Sequence, residues 1–158
     1  MNKNIISSLI SHSENRPVKT AFTFINTNDS RDIINYFELD LRARKIADLL
    51  NQHLTEKTTV IIILLQPSIN FITGFFGCLY AKFIAIPSYP PFNNHTFSRL
   101  KSIINNSAAH TILTDKIYFQ KIKKIFENNN DAELFAKIKW LFIEDADTLN
   151  QTAKEKIN

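Results

Sequence analysis

At 158 residues, with 44% hydrophobic and 22% charged side chains, the chain has ordinary globular composition and enough apolar material for one sizeable core. The formal charge of +4 comes mostly from lysines spread along the chain, not from a block of arginines with interleaved aromatics, which argues against nucleic-acid binding. The single cysteine, Cys78, cannot form an internal disulfide and the opening MNKNIISSLISHSEN is too polar for a signal-peptide core, so the expected compartment is a reducing, cytoplasmic one.

The opening segment up to His12 reads as a short amphipathic helix with Ile5, Ile6, Leu9 and Ile10 on one side. Thr20 to Asn26 alternates apolar and polar residues as a half-buried strand does, TNDSRD is a turn by composition, and Ile33 to Phe37 reads as the returning strand of a hairpin. The period then changes. Leu39, Ala43, Ile46, Ala47, Leu50 and Leu54 recur at helical spacing and predict an amphipathic helix that covers a sheet. Thr59 to Gln66, TVIIILLQ, is a β-branched run without alternation, the pattern of a strand buried on both faces. Pro67 and Ser68 offer a stop and an N-cap for a helix through about Tyr80, FIAIP is a second buried strand, and Phe97, Leu100, Ile103 and Ile104 mark a further helix. HTILT is a strand, DKIYFQKIKKIFE a helix, ENNNDAE a polar loop and KWLFIED the last strand, after which QTAKEKIN contains nothing that closes a domain.

Alternation of strands with helices predicts crossover units: an α/β fold with a largely parallel sheet flanked by helices and an N-terminal β-hairpin. Ile69 to Ile86 has about the length a bilayer demands, but Asn70, Thr73 and Lys82 interrupt it and Pro67 and Pro87 bracket it. A buried helix followed by a buried strand is expected there, with no transmembrane segment.

Self-sufficient catalytic chemistry is hard to find. The chain has two glycines, Gly74 and Gly77, and no glycine-rich phosphate loop. His12, His53, His95 and His110 lack metal-ligand spacing, and Cys78 sits in an apolar helix where a thiol is inert packing. Glu144, Asp145 and Asp147 after the last strand read either as a solvated turn or as a cation or acid–base site, since open α/β sheets place ligands at strand carboxyl ends. Lys116, Lys121, Lys123 and Lys124 read as a solvated helix face or a phosphate patch. No residue is therefore assigned to catalysis, cofactor or metal. Gly74 and Gly77, three apart on one helix, cost up to about 1 kcal/mol each against alanine, so something approaches closely: a neighbouring element or a ligand. The segment AIPSYPP ends a strand with a rigid lip, Tyr89, Pro90 and Pro91, which either caps the core or forms a preformed wall beside a cleft.

The stretches FITGFFGCLYAKFIAIPSYPP and RLKSIINNSAAHTILTD together resemble the N-terminal part of the fatty acyl-AMP ligases, a branch of the adenylate-forming enzymes. A family-like helix from Phe71 to Ala81 leads into a strand and a P-x-Y-P-P element, here Pro87, Tyr89, Pro90 and Pro91. YFELD is similar to the family's strand-to-helix entry and KIKWLFIED to its strand before the ATP-binding core. The resemblance spans about Phe22 to Asp147. It implies ATP- and magnesium-dependent activation of a long-chain fatty acid as an acyl-adenylate, passed to an acyl carrier protein. The phosphate-binding motif, later ATP and magnesium residues and C-terminal lid would follow Asn158. On this reading residues 1–158 form a single α/β subdomain that is inactive alone and needs the remaining subdomains as partners. A long-chain acyl-CoA synthetase and a stand-alone acyl-chain or protein-binding module are the alternatives. One departure is Lys82, where the family has glycine, so the end of that helix is expected to be built differently.

Overall fold

The computed structural model describes residues 4–55 and 59–148. Their elements, in chain order, are α1 (Ile5–Asn15), β1 (Thr20–Ile25), β2 (Arg31–Asn35), α2 (Tyr36–His53), β3 (Val60–Leu64), α3 (Ile69–Tyr80), β4 (Ile84–Ser88), α4 (Asn94–Ser107), β5 (Thr111–Thr114), α5 (Lys116–Asn128), α6 (Ala132–Lys137) and β6 (Lys139–Phe142). β1 and β2 pair antiparallel as the hairpin, and the other four strands form a parallel sheet in the order β4-β3-β5-β6. The α/β expectation is met, and the C-terminal octapeptide lies outside the described residues.

β3 explains the sheet's position in the core. Its Ile61, Ile62, Ile63 and Leu64 are all 0% exposed, because successive side chains enter opposite layers. Ile61 and Ile63 join α2 and α3, with Leu113, Leu141 and Ile143 from the neighbouring strands. Ile62 and Leu64 join α4 and α5 through Phe97, Leu100, Ile104, Ile122 and Phe126. A third cluster, Leu9, Ile34, Leu39, Ala43 and Phe76, fastens α1 and the hairpin to α2 and α3. No helix among the described residues is long and apolar enough to cross a membrane.

Helix starts follow the caps written in the sequence. Side chains of Asn35, Ser68, Asn93 and Asp115 accept from the backbone N–H three residues on, satisfying donors that the helix leaves orphaned. Asn35 also corrects a boundary: Tyr36 and Phe37 belong to α2, not to the second strand. α6 is a second correction, since residues within and after ENNNDAE coil into a helix with no side-chain cap bond. Tertiary packing supplies what capping does not. The Phe135 ring lies 4.8 Å from Trp140 and 5.4 Å from Phe126, and the Trp140 indole N–H donates to the Phe135 carbonyl at 3.3 Å.

The end of α3 overturns the expectation drawn from Lys82. Lys82 has φ 65°, and its N–H donates to the Leu79 carbonyl while Phe83 N–H reaches back to Cys78. This is the Schellman termination normally given to glycine, with a lysine in the left-handed position. A side chain there costs about 1–2 kcal/mol, whereas glycine raises unfolded-chain entropy by roughly 0.4–1 kcal/mol. Lys82→Gly is expected to stabilise the fold by about 0.5–1 kcal/mol, read as a higher denaturation midpoint at unchanged slope.

Hydrogen-bond direction distinguishes the two sheet edges. Ile84 N–H donates to the Thr59 carbonyl across the β3–β4 ladder, so Ile84, Ile86 and Ser88 face β3 while Ala85 and Pro87 face outward. Proline occupies a position where its missing N–H costs the ladder nothing and blunts the edge. At the other edge, Lys139 N–H donates to His110 and Ile143 N–H to Thr114, which turns Trp140 and Phe142 outward.

Candidate functional site

The carboxyl ends of β3 and β4 open into an apolar cavity of about 340 Å³ lined by Phe24, Pro67, Phe71, Ile72, Pro87, Ser88 and Tyr89. Each wall comes from a different element: Phe24 from β1, Pro67 from the turn after β3, Phe71 and Ile72 from the first turns of α3, and the last three from β4 and its exit. The structure divides the expected lip. Tyr89 is 67% exposed and borders the cavity, whereas Pro90 and Pro91 are buried and carry the chain towards α4. Phe92, just beyond the prolines, is 78% exposed. Sequence reasoning missed Phe24, although the alternation of TAFTFI placed Phe22 and Phe24 on one face.

The two glycines face different neighbours. A Cβ on Gly77 would stand 2.5 Å from Ile46 Cγ2 and 2.7 Å from Ile46 Cβ, so bare backbone here lets α2 lie against α3. At Gly74 the neighbours are side-chain ends under the helix, Leu113 Cδ2 at 3.2 Å, then Leu65 and Ile143. Side chains of the core occupy the approach to both.

The acids after β6 do not converge. Lys116 N–H donates to Glu144 Oε1 at 3.1 Å, the Lys116 ammonium pairs with Asp145 at 2.6 Å, and Lys45 pairs with Asp147 at 3.0 Å. Burial, opposed by the Tyr118 N–H and reinforced by the charge of Glu144, holds the Asp115 carboxyl above the usual range. The lysine face of α5 is exposed, and Lys121 and Lys123 sit over Tyr118 and beside Glu127. His12 stacks on Tyr36 at the end of α1, while His53 and His110 border a cavity of about 430 Å³ at the amino ends of β3 and β5. Burial pushes the Cys78 thiol up to about 12, which makes it an inert core group.

A polar cluster unseen in the sequence lies between α2 and α3. The Tyr80 hydroxyl donates to Asp40 Oδ1, whose other oxygen accepts from Arg44 Nε at 2.9 Å, and the guanidinium lies 5.1 Å from the Tyr80 ring centre. Burial and then the bond to Asp40 raise the Tyr80 phenol. The spacing of Asp40 and Arg44 announces their pairing on a helix; Tyr80, forty residues on, is legible only in three dimensions.

The profile of the AMP-binding enzymes matches residues 10–158. The chain belongs to the AMP-binding enzyme family. Among curated relatives, the medium-chain fatty acid acyl-carrier-protein ligase JamA of Moorena producens is 31% identical over 150 residues, covering 89% of this chain and 25% of JamA. The long-chain fatty acid AMP ligase FadD32 of Mycolicibacterium smegmatis is 28% identical over 128 residues, covering 76% and 20%. The crystal structure of fatty acid AMP ligase from Legionella pneumophila superposes with a TM-score of 0.76 at 24% identity, over 89% of this chain and 23% of that one. The chain thus spans about a quarter of these relatives' length, and it shares the fold of an adenylate-forming N-terminal domain.

For an AMP-binding enzyme, neither the glycines nor the acids after β6 form a ready cradle for nucleotide phosphates or magnesium, while a polar cavity of about 440 Å³ is lined by Arg31, Arg42, Ser68 and Asn70. Both glycines are closed in by core side chains, Lys116 holds one oxygen of Glu144 and pairs with Asp145, Lys45 pairs with Asp147, and Glu144 Oε2 is buried without a partner. No group of three or more potential ligands converges among the described residues.

Proposed function

We propose that residues 1–158 form the first α/β subdomain of a cytoplasmic ligase that uses ATP and magnesium to activate a long-chain fatty acid as an acyl-adenylate, then passes the acyl group to an acyl carrier protein. The family match across residues 10–158 carries this reading, and the names of JamA and FadD32 supply the substrate and acceptor classes. The subdomain's own contribution is structural. Tyr89 and Pro87 present a stiff apolar rim at the strand ends, where open α/β sheets meet their ligands, and the remaining subdomains close over that rim with the phosphate and metal groups.

The gene downstream of codon 158 and the product it encodes test the proposal. The expected result is a reading frame that continues through a Ser/Thr/Gly-rich phosphate loop, with a full product that loads fatty acid onto a carrier protein in the presence of ATP and magnesium. A stop codon with no companion frame, or a product that acylates only coenzyme A, overturns it.

A further inference from the structure

The polar cavity of about 440 Å³ takes its walls from three elements: Arg31 and Asp32 begin β2, Arg42 stands on α2, and Ser68, Ile69 and Asn70 cap and begin α3. Neither arginine is spent on a neighbouring acid. Glu38 precedes Arg42 by the four residues that suit an ion pair on a helix, and Asp32 lines the cavity itself, yet no ion pair among the described residues engages Arg31 or Arg42. Asp32 Oδ2 accepts instead from the Asn26 side chain at 3.0 Å, and Asp40 is taken by Arg44. We propose that this cavity is a binding site for a phosphate-class oxyanion, held between the Arg31 and Arg42 guanidiniums.

The chemistry of the walls selects that ligand class. Each guanidinium is a planar fork of donors that matches phosphate geometry, and two of them offset the charge of a dianion, which a single carboxylate does not carry. Two arginines against the one carboxylate of Asp32 leave the walls net positive. The start of α3 adds neutral donors to this pair: Ser68 Oγ accepts from the Phe71 N–H, while the N–H groups of Ile69 and Asn70, which border the cavity, have no partner within the helix. No set of metal ligands converges among the described residues, so the arrangement holds an anion without transforming it. Both arginines are exposed, so the binding is weak and falls as ionic strength rises.

Residue-resolved NMR titration of the chain with inorganic phosphate, at constant ionic strength and with acetate as the reference anion, tests the site. The expected result is a saturable shift of the Ile69 and Asn70 amides and of the Arg31 and Arg42 Nε–H signals with phosphate, and a far smaller response to acetate. Arg31→Gln and Arg42→Gln are each expected to raise the phosphate dissociation constant about tenfold, whereas Lys124→Gln, which removes an exposed charge on α5, leaves it unchanged. If an arginine variant fails to fold, the contrast between phosphate and acetate on the unaltered chain decides. Binding to phosphatidylcholine vesicles that contain phosphatidic acid, lost in both arginine variants, gives the phosphate a lipid source, and its absence beside saturable phosphate binding gives it a soluble one; both uphold the site. Shifts that stay linear in phosphate, that acetate reproduces, or that survive both arginine substitutions overturn the proposal.

Discussion

Given a long-chain fatty acid, magnesium, ATP and labelled pyrophosphate, the purified chain is expected to return no label to ATP above the no-acid control. Acyl-adenylate formation needs donors that hold the phosphates and groups that offset the charge developing at the α-phosphate. Removing one such preorganised donor costs about 10²–10³-fold in rate. Here the glycines are packed in α3 and form no phosphate loop, and Glu144 and Asp145 both bind Lys116 while Asp147 pairs with Lys45, so the described residues bring no catalytic set together around a phosphate. The apolar cavity beside Tyr89 has the chemistry to meet an alkyl group but none to polarise a phosphate. Acid-dependent exchange that persists through further purification would place the active site inside this chain and refute the division of labour proposed above.

The second large effect is a contrast between two glycine substitutions three residues apart. Alanine gains up to about 1 kcal/mol of helix propensity at either position, so only the surroundings separate them. At Gly77 the clashing atoms are Cβ and Cγ2 of Ile46, too close to the α2 backbone to rotate away, with the Ala43 carbonyl behind them at 3.2 Å. Helix α2 must shift bodily, and overpacking of this kind costs typically about 1–3 kcal/mol. Gly77→Ala is therefore expected to destabilise by about 1–2 kcal/mol net. At Gly74 the tightest neighbour is a terminal methyl of Leu113 at 3.2 Å, so Gly74→Ala is expected to stay within about 1 kcal/mol of the parent. Urea denaturation of both variants checks the pair, and equal midpoints would show that the α2–α3 spacing is looser than the structure has it.

Much of this fold was legible because its elements are stated locally. VIIIL has no alternation because it is covered on both faces, and Ser68, Asn93 and Asp115 announce helix starts through their own side chains. Elements built by distant packing were not legible. α6 is held by rings from α5 and β6, so a composition rich in asparagine upstream reads as loop until Trp140 is in place. Lys82 shows a different limit: the hydrogen-bond pattern at the end of α3 requires a left-handed residue whichever side chain occupies it, and a lysine hides the geometry. For the site, the sequence showed a stiff segment at Tyr89, Pro90 and Pro91 but not that Tyr89 lies exposed beside the cavity while the two prolines are buried, because stiffness is visible in a sequence and direction is not. Its glycine pair read as one face, and both glycines meet the same core layer, Gly74 the strand side chains Leu113 and Leu65 and Gly77 the Ile46 side chain of α2.

The hydroxyl of Thr114 donates to the Leu64 carbonyl at 2.8 Å, across 50 residues of chain. That separation sets a waiting time during synthesis. β4 follows β3 closely and can cover one of its edges as soon as both have emerged, but the other edge stays bare until β5 arrives. At about 5–20 residues per second the interval is roughly 3–10 s. Throughout it the nascent chain leaves at least one edge of a strand with three consecutive isoleucines unpaired, the kind of segment that nucleates cross-β association. The order of strands in the finished sheet therefore makes chaperone capture most useful in the window between the emergence of β3 and that of β5.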